Sequence, residues 1–161
     1  LLLSGQWLPD QKMLKMGLRA LDWLKKVQTD EIGCHFAAIG NHGWFARYGE
    51  KAPFDQQPLE AAAMVDACIE AFNCTRDEQW IAEAYRCLNW YQGENDMRVP
   101  LYDHFTGGCR DGLEAHGANV NQGAESSLCW LRALLAVYNH RGLDRVTQEG
   151  ELTQLEAREA S

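Results

Sequence analysis

No apolar run in this chain is long enough to span a bilayer as a helix. Basic charge is also scarce. Fifteen Lys and Arg face 23 Asp and Glu, giving a net charge of −8. Such a balance excludes the basic face that nucleic acid demands, and it disfavours an anionic membrane surface. No C-x-x-C pair occurs among the six cysteines, and no His/Cys spacing fits a structural zinc site. The chain opens on Leu1-Leu2-Leu3 without a methionine or a basic leader, which reads as the end of an apolar helix. The expectation is that it begins inside a larger protein.

What is present is enough for one packed domain. Hydrophobic residues make up 46% of 161 positions. Cys68, Cys87 and Cys129 fall within helical patterns and read as small core residues. A disulfide framework is not expected in such a chain, and a cytoplasmic location is.

The most informative feature is an internal repeat. Arg19-Ala-Leu21-Asp22-Trp23-Leu24 matches Arg86-Cys87-Leu88-Asn89-Trp90-Tyr91, 67 residues later. Gln56-Gln57-Pro58-Leu59-Glu60 matches Asn121-Gln122-Gly123-Ala124-Glu125, 65 residues later. Order and spacing both recur, as in stacked supersecondary units. Residues 10–28 and 77–92 carry apolar positions at helical spacing with a charged opposite face. Thr75 or Asp77 is placed to cap the second of these. Residues 58–72 and 124–139 are apolar nearly all round and are expected to be buried on most sides. Two buried inner helices and two amphipathic outer ones are the logic of an α/α toroid. The predicted fold is therefore all-α, a partial α/α toroid of two repeated helical hairpins with long functional loops. The helical domain is placed at residues 1–141, and the charged stretch 142–161 is read as a disordered tail.

The two long connections, about 30–56 and 93–121, are rich in Gly, Asn, His and aromatics. Loops of that length in a compact domain are usually functional. The first offers Trp44, Arg47, Asp55 and Gln57; the second offers Asp111, Asn121 and Gln122. Aromatic faces stack on pyranose rings, while amides and carboxylates bond their hydroxyls. Glu60 and Glu125 each open a buried helix, so they are the candidate acid and base, or hydroxyl-binding, pair. The structural alternative is that each carboxylate caps its helix, with Pro58 at the first helical position. Arg110 and Asp111 could simply pair with each other. Gly107-Gly108 suggests tight turns, with a possible hairpin over the helix ends. It is not a dinucleotide fingerprint, because no strand–helix unit surrounds it. His42, His104 and His116 lie in loops without the spacing of a metal triad, so no metal and no cofactor is expected. Ser126 and Ser127 sit inside a helix pattern, not on a nucleophile elbow.

Gly40-Asn41-His42-Gly43-Trp44, Phe54-Asp55-Gln56-Gln57-Pro58-Leu59-Glu60, Pro100-Leu101-Tyr102-Asp103, Gly107-Gly108-Cys109-Arg110-Asp111-Gly112 and Asn121-Gln122-Gly123-Ala124-Glu125-Ser126-Ser127 together resemble one known family. They are similar to the carboxy-terminal α/α-barrel region of bacterial proteins described as glycosyltransferases. The similarity covers about residues 1–140. It implies a carbohydrate-binding or carbohydrate-processing helical domain whose glycosyl-transfer chemistry lies in an upstream domain of the same protein. The implied partners are a sugar or glycan and that upstream domain, with homo-oligomerisation possible. The competing reading is a non-catalytic helical scaffold that docks a partner.

Overall fold

The computed structural model describes residues 1–140 except Trp44. The predicted tail at 142–161 lies outside the described residues, as does Trp44. Helices α1 (Leu2–Trp7), α2 (Gln11–Val27), α3 (Pro58–Thr75) and α4 (Gln79–Tyr91) precede a fifth, α5, which is helical from 124 to 140. The only strands among the described residues are β1 (Leu113–Glu114) and β2 (Gly117–Ala118), an antiparallel hairpin. The fold is all-α, as the sequence pattern predicts. None of the described helices is long and apolar enough to cross a membrane.

Local chemistry sets the helix ends. Asp10 caps α2 by accepting from the Lys12 and Met13 amides at 2.9 and 3.1 Å. Pro58 starts α3, where its missing N–H costs nothing, and Arg76 ends it in the left-handed conformation at φ 58°. Asp77 accepts from the Gln79 amide at 3.1 Å and opens α4, the role its position predicts. α1 crosses α2 closely. A Cβ on Gly5 would stand 2.7 Å from the Leu14 amide nitrogen, so only glycine permits that approach.

The core lies mainly between α3 and α4. Val65, Cys68 and Ala71 of α3 are fully buried, as are Cys87, Trp90 and Tyr91 of α4. Burial at this interface dominates the folding free energy, because each large side chain removed from water contributes about 1.5–3 kcal/mol. Cys68, Cys87 and Cys129 are buried, as expected, and Cys109 joins them. All six thiols are free. Burial pushes the Cys68 thiol up to about 12.

One expectation needs correction. α5 is not enveloped. It buries Ser126, Cys129, Trp130, Ala133 and Val137, the counterparts of Ala61, Met64, Val65, Cys68 and Phe72 in α3. Its other flank leaves Leu128 and Tyr138 64% and 69% exposed. The repeat preserves the buried face, but no described element packs over that flank.

Candidate functional site

The two long loops meet through one backbone bridge. The Gln56 amide donates to the Leu113 carbonyl at 3.0 Å, and the Leu113 amide returns the bond to Gln56 at 2.9 Å. An aromatic column supports them. Tyr91 lies 5.2 Å from Trp130, and Tyr102 stacks on Trp130 at 4.7 Å. The Tyr91 hydroxyl donates to the Pro58 carbonyl at 2.5 Å, tying the start of α3 to the end of α4. These contacts bring the first turns of α3 and α5 together.

A cleft of about 300 Å³ opens between those turns, lined by Gln57, Pro58, Leu59, Asp111, Gly123, Ala124, Glu125 and Ser126. Asp111 is its organiser. It accepts from the Ser126 hydroxyl at 2.7 Å, from the Gly123 amide at 2.6 Å and from the Asn121 side chain. The Ser126 hydroxyl first, then the Gly123 amide, hold its carboxyl below the ordinary range. A Cβ on Gly123 would stand 2.8 Å from Asp111 Oδ1, so glycine is required for this approach. Arg110 does not pair with Asp111. It bonds Asp103 at 3.3 Å and the Val120 carbonyl at 2.7 Å. Gln122 also donates to Asp103, at 3.0 Å, and accepts from Thr106 at 2.8 Å. The expected tight turn appears here, with Gly107 at φ 74°. The hairpin itself lies a little further on, at β1 and β2.

The two candidate glutamates have separate surroundings. Glu125 is exposed at the cleft, and among the described residues its carboxylate has no hydrogen-bond or ion-pair partner. Glu60 is turned away from the cleft lining. Its Oε2 accepts from Gln28 Nε2 at 2.8 Å and from the Ile39 amide at 3.3 Å. Burial pushes its carboxyl above the ordinary value, and those two donors offset part of the effect. No side-chain cap bond forms at the start of α3, so Glu60 ties the first loop to the helix in place of closing a capping box.

The other predicted residues divide between this cleft and the outer face. Gln57, Asp111 and Glu125 line the cleft, and Asn121 and Gln122 brace its loop. Asp55 bonds His42 at 2.9 Å on the surface. Arg47 lies over the Tyr48 ring at 4.9 Å, in a separate cavity with Trp23 and Phe45.

A buried polar chain was not legible in the sequence. Trp90 Nε1 donates to Gln56 Oε1 at 2.8 Å, and Gln56 Nε2 donates to Asp96. Asp96 in turn meets His35 Nε2 at 2.6 Å. Ser126 and Gln28 were missed as well. Gln56 and Trp90 carried a signal as repeat positions, opposite Asn121 and Trp23, and Ser126 carried one as part of the resembling string. No family model matches this chain, and no curated protein sequence matches it.

Proposed function

We propose that this chain is a carbohydrate-binding helical domain, with the sugar held in the cleft between the first turns of α3 and α5. The observation that carries this reading is the convergence of both halves of the repeat on one polar cleft. Gln57 comes from the first half and Glu125 from the second, with Asp111 between them. Glu125 supplies an uncommitted acceptor, and Gln57 supplies an exposed amide. Leu59 and Ala124 offer apolar surface for the C–H face of a pyranose. Asp111 is committed to its loop and acts by holding the cleft open.

At about 300 Å³ the cleft lies at the small end of the range for small-molecule sites. This supports binding of a glycan end or one residue of a chain. The toroid arrangement, the membership in a glycosyltransferase-like protein and the cytoplasmic setting belong to the same proposal. Catalysis by a Glu60–Glu125 pair receives less support, because only Glu125 lines the cleft.

The test is a panel of monosaccharides, oligosaccharides and nucleotide sugars, read by amide chemical-shift mapping. Shifts that cluster on Gln57, Gly123 and Glu125, and vanish in Glu125→Gln with the fold intact, support the reading. An absence of saturable shifts with every sugar would leave the partner-docking scaffold as the better account.

A further inference from the structure

We propose that Asp30 and His35 form a binding site for a divalent transition metal of the zinc class, with Asp96 orienting the imidazole. Asp30, His35 and Asp96 each present a ligand atom, and these atoms lie within 4.8 Å of one another. Asp96 comes from the turn after α4 and the other two from the first long loop, so only the fold brings them together. The site is independent of the sugar cleft, whose lining shares none of its residues.

The His35 side chain is only 9% exposed. Its Nε2 lies 2.6 Å from an Asp96 oxygen, which places the ring proton on that nitrogen. Nδ1 is buried without any hydrogen-bond partner. An orphaned buried acceptor costs about 1–3 kcal/mol unless something occupies it. The nearest group is Asp30 Oδ2 at 4.0 Å, too far for a hydrogen bond. Zinc bonds such donors at about 2.0–2.2 Å, and its tetrahedral angle sets them about 3.4 Å apart, so binding draws the two side chains together by about half an ångström.

The surroundings fit such an ion. A Cβ on Gly33 would stand 2.5 Å from Nδ1 and 3.2 Å from Asp30 Oδ2, so the glycine keeps the gap between them open. The Ile32 and Gly33 amides both donate to Asp30 Oδ2, the oxygen facing Nδ1, and fix its position. Asp96 on Nε2 is the carboxylate–histidine–metal arrangement that fixes ring orientation and raises basicity. Gln56 anchors Asp96, and Trp90 anchors Gln56. Asp30 also lines a cavity of about 570 Å³ with Thr29, Glu31 and Lys51, which gives ion and water an access route. The Lys51 ammonium is held by the Val27 and Ala37 carbonyls at 2.8 and 2.9 Å. Its charge offsets one carboxylate.

The experiment is calorimetric titration of the chelator-treated full chain with Zn²⁺, with Co²⁺ absorption to identify the donors. Saturable binding is expected, with a nitrogen–oxygen spectrum lacking thiolate charge-transfer bands. His35→Gln removes it, and Asp96→Asn weakens it by about 10–100-fold. Gly33→Ala keeps every ligand but fills the gap, and it abolishes binding in a folded protein. His42→Gln leaves binding unchanged. No saturable binding, thiolate bands, or titrations unaltered by Gly33→Ala and His35→Gln would overturn the site. Ring-nitrogen NMR showing both nitrogens protonated near neutral pH, with no response to Zn²⁺, would overturn it too.

Discussion

Glu60 and Glu125 occupy the same place in two copies of one motif, yet they meet different environments. Glu60 is drawn into the first loop by Gln28 and Ile39, while Glu125 stands in open solvent at a cleft. The difference extends along their helices. The inner faces match, with Met64 of α3 4% exposed and its counterpart Cys129 of α5 7% exposed. The outer flanks differ in chemistry, since α5 carries Leu128, Leu131, Leu135 and Tyr138 in partial or full exposure where α3 carries Ala63, Asp66, Glu70 and Asn73. The neighbouring amides follow suit, since Gln56 is fully buried and Asn121 is exposed. A repeated sequence therefore fixes the same helix and the same inner face twice. What covers the helix decides whether its polar motif becomes internal bracing or accessible surface.

The largest expected contrast is in packing. Met64→Ala empties a closed core site and is expected to cost about 2–5 kcal/mol. Leu128→Ala, on the uncovered flank of α5, is expected to fall within about 0.5 kcal/mol. Urea unfolding of both variants measures the contrast, and equal losses would mean that the flank of α5 is covered in solution.

A smaller contrast separates the amides. Gln56→Ala strands the Trp90 ring N–H and one oxygen of Asp96, at a cost of about 1–3 kcal/mol. Asn121→Ala removes an exposed donor to Asp111, and a loss of about 0.5–1 kcal/mol is expected. Loss of the Trp90 indole N–H protection in hydrogen exchange, in Gln56→Ala alone, would sharpen the assignment.

The subtlest contrast is in pH. Burial raises the folded Glu60 carboxyl above its unfolded value of 4.5. A raised carboxyl contributes stability that is complete below the unfolded value and is lost as pH rises through the folded one. Glu60→Gln keeps an acceptor for Gln28 and Ile39 but cannot ionise. Relative to that variant, the wild type should therefore lose ground as pH rises above the unfolded value of about 4.5. Parallel unfolding midpoints above that value would show that Glu60 is solvated in the folded state.

Much of the scaffold was legible because helix formation is local. The apolar spacing of 10–28 gave α2, Pro58 gave the start of α3, and Asp77 gave the entry to α4. The cleft was legible in part, because Gln57, Asp111 and Glu125 stand in loop and helix-start motifs that suit a site. The His35–Asp96 pairing was not, since the two residues lie 61 positions apart and neither belongs to a spaced motif. Apolar composition also overstated the burial of α5, because composition reports what a helix can bury and not what is present to bury it.

The sequence by itself determined the all-α class, the helix ends and the repeated inner face, since these follow from backbone propensity, capping and periodicity within a few turns. Only the tertiary structure decided that Glu60 braces a loop, that Glu125 faces a cleft and that His35 is left with an orphaned nitrogen. Those outcomes depend on which distant loops close over a helix end, and closure is set by packing among residues far apart in the chain.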